Sequence, residues 1–188
     1  MSVQTSVFIA TSMDGFIARL DGSLDWLTDG TETAGDADRS GYAEFFASVD
    51  AIVMGRKTFE TVLGFGAWPY EDRRMIVLSR RPEAVMIPPE LRGRVDASSA
   101  DPAALLALLE HDGVSHVYVD GGLTIQTFLA AGLVDELIVT RIPVLIGEGI
   151  PLFGPLPADR RLHHVETRTF SIGAGHGVVQ SHYRIPRD

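Results

Sequence analysis

Cysteine is absent from the 188 residues. Disulfide frameworks, thiolate metal sites and a cysteine nucleophile are therefore excluded, and the cytoplasm is the simplest compartment to expect. Long apolar runs are also missing: none approaches the roughly 20 residues needed to cross a bilayer, so no membrane partner is expected. The opening segment Met1–Ser6 has no basic residue before an apolar run, which argues against a signal peptide. Net positive charge is lacking too, with 16 Lys and Arg against 25 Asp and Glu for a formal charge of −9. Such a chain repels nucleic acid unless its basic residues are concentrated. The dense pairs Arg73-Arg74 and Arg80-Arg81 could hold a small anion but not a duplex. The chain has no G-x-G-x-x-G, no P-loop and no G-x-S-x-G elbow, so the common dinucleotide fingerprint, NTPase and serine hydrolase signatures are missing. His163-His164 are adjacent and would point to opposite faces of a strand, so no metal site is expected.

What is present is an ordinary globular composition, 45% hydrophobic and 22% charged, in a length that suits one domain over residues 1–188. Apolar runs at Val7–Ala10, Ala51–Met54, Met75–Leu78, His116–Val119 and Glu136–Val139 predict strands covered on both faces. His164–Phe170 and Val178–Tyr183 alternate more and flank Gly173, Gly175 and Gly177, which predicts a C-terminal antiparallel hairpin. Between the strands, helices are expected at Tyr42–Val49, Lys57–Leu63, Ala103–Glu110 (after Asp101-Pro102) and Leu123–Ala131. Thr28–Ser40 is a polar loop, and Pro151–Pro157 a turn-rich crossing. Alternating β and α elements give an α/β fold, a three-layer α/β/α domain on a mixed, mostly parallel sheet.

Two strand-to-helix junctions carry candidate chemistry. One is Gly55-Arg56-Lys57-Thr58 after Ala51–Met54; the other is Asp120-Gly121-Gly122 after His116–Val119. Each offers free backbone N–H groups at the positive end of a helix, and glycine lets a phosphate approach the main chain. Both lie at C-terminal strand ends, where open α/β sheets bind ligands. With Arg56 and the third strand end at Leu78, Ser79, Arg80 and Arg81, they favour a dinucleotide that carries an extra phosphate.

The order of motifs resembles the dihydrofolate-reductase-like superfamily, which includes the riboflavin-biosynthesis reductase domain. The matching stretches are Val7–Ile17 (VFIATSMDGFI), Val53–Glu60 (VMGRKTFE), Arg73–Ser79 (RRMIVLS), Val117–Gly122 (VYVDGG) and Leu137–Ile142 (LIVTRI). Pro143–Gly154 is closer to the riboflavin-type branch. The resemblance implies NADPH as cofactor. It places Ala10 and Ile17 at the nicotinamide and its ribose, and Arg56 with Ser79 and Arg80 at the 2′-phosphate. Lys57 and Thr58 would take phosphate oxygens, while Asp120, Gly121, Gly122, Leu123 and Thr124 would wrap the pyrophosphate. Trp26 would close the front of the pocket, with Arg73 and Thr140 facing the substrate.

Proton delivery is less defined. Folate reductases carry a carboxylate a few residues beyond the tryptophan; here Thr31 stands five residues beyond Trp26, with Asp36, Asp38 and Glu44 as substitutes. Asp25 is a candidate proton relay. Asp120 could act on the substrate, bind a ribose hydroxyl or only hydrogen-bond a loop. Riboflavin-type reductases commonly have a lysine after the D-G of the first motif, where this chain has Phe16. The expected activity is NADPH-dependent reduction of a C=N or related bond in a pterin-like, pyrimidine-like or other small heterocycle. The alternatives are the 5-amino-6-(5-phosphoribosylamino)uracil reductase step and a nucleotide-binding module without catalysis. A homodimer through Val144–Phe153 is a further expectation.

Overall fold

The computed structural model describes residues 3–27, 40–172 and 176–187. Most of the Thr28–Ser40 loop, with Thr31, Asp36 and Asp38, lies outside the described residues, as do Gly173 and Gly175. In chain order the elements are β1 (Gln4–Ser12), β2 (Phe16–Ala18), α1 (Tyr42–Ser48), β3 (Ala51–Gly55), α2 (Arg56–Leu63), β4 (Arg74–Leu78) and β5 (Val95–Ser98). They continue with α3 (Pro102–His111), β6 (His116–Asp120), α4 (Gly122–Ala130), β7 (Glu136–Ile142), β8 (Ile150–Pro151), β9 (His163–Ile172) and β10 (His176–Arg184).

Eight strands form one sheet in the order β5-β4-β3-β6-β1-β7-β10-β9, and β2 pairs with β8 as a small ribbon. From β5 to β7 all neighbours are parallel. The β9–β10 hairpin closes the sheet antiparallel to β7. This is the mixed three-layer architecture that the continuous apolar runs imply, because a parallel sheet must be covered on both sides. Side chains alternate between two cores. Val53, Val117, Val119 and Val139 meet Leu105, Leu106 and Leu109 of α3 and Ile125 and Phe128 of α4. Ile52, Met54, Met75, Val77 and Tyr118 meet Phe45 and Phe46 of α1 and Phe59 and Val62 of α2. The Asp101 carboxylate caps α3 by accepting from the Ala104 N–H at 3.0 Å, the role its place before Pro102 predicts.

Two features of this sheet position a site. The connection from β3 through α2 runs to β4 on one side, whereas that from β6 through α4 runs to β7 on the other. Neighbouring strands β3 and β6 therefore define the point where the strand order reverses, the usual ligand crevice of such sheets. Next to it, β1 pairs with β6 only from Gln4 to Ser6, yet stays paired with β7 as far as Ser12. β6 meanwhile continues beside β3 to Asp120. The two strands part above this level, and the Tyr118 hydroxyl donates to the Phe8 carbonyl across the gap at 2.9 Å.

Candidate functional site

The starts of α2 and α4 lie side by side, since Met54 and Asp120 are register partners. Gly55 opens α2 and Gly121 opens α4, and neither helix has a side-chain cap. Gly121 has φ 87°, a conformation that costs other residues strain. The glycines fit one helix start against the other. A Cβ on Gly55 would come within 2.9 Å of Thr124 Oγ1, and one on Gly121 would overlap Thr58. A Cβ on Gly122 would meet Ile17 at 2.9 Å and Ile150 at 3.1 Å. The glycines that look like phosphate contacts in the sequence thus serve packing as well: they bring two uncapped helix starts and the β2–β8 ribbon to one place. The first-turn amides of both helices are left without side-chain acceptors, which fits an anionic ligand.

Around this pair the structure gathers most of the expected cofactor residues. Arg56 sits on the first turn of α2 and pairs with Glu60 at 3.2 Å, half exposed, while Lys57 is exposed. Leu78 is level with Gly55 on the neighbouring strand. Beyond it the Ser79 N–H donates to the Ser98 carbonyl, Ser79 Oγ bridges to Arg81, and Arg80 is exposed. Leu123 is 72% exposed on the first turn of α4, an apolar side chain beside polar amides. Ala10 lies on β1 opposite Thr140 of β7, on the sheet face of Phe8 and Ile138, and Phe8 packs against α1. Thr140 is buried and accepts from Gln180 Nε2 of β10 at 3.0 Å.

Asp120 ends β6 on the face of Tyr118. Its Oδ1 accepts the Gly121 N–H at 2.7 Å and its Oδ2 accepts the Tyr70 hydroxyl at 3.1 Å. Burial pushes the carboxyl above the ordinary carboxylate range, and those two donors with Tyr118 pull it partly back. The phenols of Tyr42, Tyr70 and Tyr118 are pushed up in turn, first by burial and then by the Asp120 charge. Sequence reasoning missed this cage because its members are spread from residue 42 to residue 120; their aromatic character was the only available signal.

The other expected residues have different settings. Asp25 is held by Arg19 through two bonds of 2.7 and 2.9 Å and is 60% exposed. The Arg19 bond is the largest influence and keeps its carboxyl below the ordinary range. Asp25 is thus an exposed carboxylate paired with Arg19, a different setting from the buried Asp120. Trp26 is half-buried, and its Nε1 is enclosed with no acceptor among the described residues. A bound ligand can satisfy an orphan donor of this kind. Arg73 lies 5.3 Å from the centre of the Phe46 ring, toward the strand-start end of α1, while Glu44 is exposed on that helix. Asp14, a turn residue in the sequence reading, accepts from Ser12 Oγ and from the Ile146 and Gly147 N–H groups, fastening the 143–149 segment to β1. In the apolar Val144–Phe153 segment, Leu145 and Phe153 are exposed and Leu152 is buried.

The RibD C-terminal domain family matches residues 5–174. This chain belongs to that family. YwjB of Bacillus subtilis is 34% identical over 185 residues, covering 97% of this chain and 98% of the relative, and carries no assigned activity. A solved structure from Shewanella sp. PV-4, assigned to riboflavin biosynthesis, is 34% identical with a TM-score of 0.84 and full coverage of both chains. The diaminohydroxyphosphoribosylaminopyrimidine deaminase/5-amino-6-(5-phosphoribosylamino)uracil reductase of Thermotoga maritima shares the fold at a TM-score of 0.71 and 16% identity. This chain is covered to 98% there but spans only 57% of that longer protein.

Proposed function

We propose that this protein is an NADPH-dependent reductase that transfers a hydride to a C=N or related bond of a flat nitrogen heterocycle, pyrimidine-like or pterin-like. The observation that carries this reading is the pair of uncapped helix starts, clasped through Gly55–Thr124 and Gly121–Thr58, where the strand order reverses. Family membership supports a nicotinamide cofactor and a reductase role. Gly122, Leu123 and Thr124 would hold the pyrophosphate by their amides, with Gly121 allowing its close approach while its own N–H stays on Asp120. Arg56, Ser79 and Arg80 would meet the 2′-phosphate, with Lys57 and Thr58 between. Ala10 and Ile17 would lie against the nicotinamide end. The bound cofactor supplies the hydride; the protein orients it and keeps water from it.

The substrate would occupy the gap where β1 leaves β6, on the α1 face. Phe8 and Tyr42 provide flat apolar surfaces there, with ring centroids 5.3 Å apart. Asp120 stands at one end and the Thr140–Gln180 pair at the other. Trp26 would close the front, and Arg73 would meet a substrate that extends along α1. The uracil reductase named for the Thermotoga relative is the pyrimidine version of this reading. Phe16, in place of the lysine common after that motif, favours a substrate without the phosphoribosyl group.

NADPH fluorescence on titration with the protein is the direct test. Enhancement or a blue shift that saturates is expected, because the ring would leave water. An unchanged spectrum at concentrations well above typical cofactor affinities would rule the reading out. Saturable binding followed by no consumption of pyrimidine, pterin or quinonoid substrates would instead favour the binding module.

A further inference from the structure

The Asp120 carboxyl is enclosed between the backbone that opens α4 and a cage of phenols, and among the described residues no cation answers it. Its described partners are the Gly121 N–H at 2.7 Å and the Tyr70 hydroxyl at 3.1 Å. Tyr118 lies two residues back on the same face of β6, with its hydroxyl also bonded to the Phe8 carbonyl. Tyr42 comes from α1 and feels both Asp120 and Glu71 as negative charges. Arg73, beyond Tyr70, is turned to the Phe46 ring, and Arg56 on α2 is paired with Glu60. Among the described residues no Lys, Arg or His forms an ion pair with Asp120.

A carboxylate in this position has two hydrogen-bond donors but no counter-charge among the described residues, and it stands directly beside the amides at which an anion would rest. We propose that Asp120 is the proton carrier of the site, taking up its proton when an anion is bound at the start of α4, with Tyr70 as the residue that positions it. This rests on the cofactor reading above. A like charge within about 6 Å of a carboxyl favours its neutral form, and burial already acts in the same direction. Cofactor binding and proton loading become one linked event.

The chemistry balances. Reducing a C=N bond adds a hydride, with its electron pair, to carbon and a proton to nitrogen. The Asp120 O–H bond breaks, the substrate N–H bond forms, and a carboxylate remains. The substrate is reduced and the nicotinamide is oxidised. The oxidised ring is positively charged and so favours the ionised Asp120. Tyr70 fixes the lone-pair direction of Oδ2 through its hydroxyl, while Gly121 holds Oδ1.

Calorimetric titration with NADPH near pH 7.5, in two buffers of different ionisation enthalpy, reads the protons exchanged on binding. Uptake approaching one proton per cofactor is expected for the unmodified protein, and its loss for Asp120→Asn. The 2′-phosphate titrates on its own near pH 6, about 1.5 units away. NADH lacks that group, so uptake must persist with NADH. If Asp120→Asn does not fold, Tyr70→Phe gives a second test. It removes a donor to the charged carboxyl, so the pH of greatest uptake must move upward. Binding with no proton uptake, or uptake that is equal in Asp120→Asn or unmoved in Tyr70→Phe, overturns the proposal and leaves the cofactor reading standing. Absence of NADPH binding overturns both.

Discussion

Thr58, on the first turn of α2, rests against Gly121 so closely that a Cβ on the glycine would overlap its side chain. Gly121 also adopts φ 87°. The strand-to-helix turn at one end of the site is therefore built around a side chain from the other. Gly121→Ala should destabilise the fold by at least about 2 kcal/mol, from backbone strain plus overpacking. Urea unfolding measures it. Combining Gly121→Ala with Thr58→Ala should restore the packing part but not the backbone part, so the double variant should lose less than the sum. Strict additivity would show that the two helix starts are not coupled.

Arg56 is half-exposed and, among the described residues, bonded to Glu60 four residues on at 3.2 Å. Surface pairs of this spacing contribute about 0.3–0.5 kcal/mol, so charge reversal there leaves stability nearly unchanged. Arg56→Glu should weaken NADPH by roughly tenfold or more, the loss of one charge-assisted contact, and NADH by far less. Fluorescence titrations of both cofactors decide this. Equal losses would show that Arg56 does not read the 2′-phosphate.

Asp14 ties two segments that are far apart in sequence, receiving the Ile146 and Gly147 N–H groups at 3.1 and 2.8 Å. Asp14→Ala should speed amide exchange at residues 146 and 147 while leaving β1 and β7 protected. The Ser12 hydroxyl is the largest influence that holds the Asp14 carboxyl below its ordinary 3.8, and the two amides add to it. A depressed acid contributes when ionised, so the clamp is fully present above pH 3.8 and is lost only as pH falls through the lowered value. Protection at residues 146 and 147 should therefore stay constant from neutral pH down to that range. A loss between pH 5 and 7, in the window of histidine titration, would contradict it.

Arg187 locks the end of the chain to its start. It grips Asp135 with two bonds of 2.6 Å and donates to the Val3 carbonyl at 2.7 Å, while Asp135 also accepts the Thr5 N–H. Arg187→Ala should cost about 1–2 kcal/mol, since the fork is bidentate but partly exposed. The denaturation midpoint should fall with an unchanged slope. An unchanged midpoint would show the clasp to be a surface contact only.

Much of this fold was legible because its strands are covered on both faces. Ala51–Met54 and His116–Val119 have little choice but to be central, and Asp101-Pro102 marks α3 without ambiguity. β5 was not: in Val95-Asp96-Ala97-Ser98 only Val95 is buried, so no pattern stands out. β2 and β8 are three and two residues long and exist because Ile17 and Ile150 pack against Gly122, a tertiary cause that no local pattern announces. In the site, glycine marked both helix starts, although their contact with Thr58 and Thr124 was invisible. Asp120 could be found by its place before Gly121, but the burial that raises its carboxyl, and the Tyr70 and Tyr118 hydroxyls that oppose it, arise only on folding. The pairing of Asp25 with Arg19, six residues earlier, was equally illegible, because nothing in the local sequence marks the two as partners.

The parting of β1 from β6 after Ser6 has a mechanical consequence. Stiffness in a sheet comes from its ladders, and here the ladder stops partway along a central seam, with the Tyr118–Phe8 bond as a stitch across it. Within the eight-stranded sheet this is the seam with the shortest run of paired residues. A ligand seated there, as proposed, should act as a wedge between the two strands, and its release should depend on the seam flexing open more than on any one contact breaking.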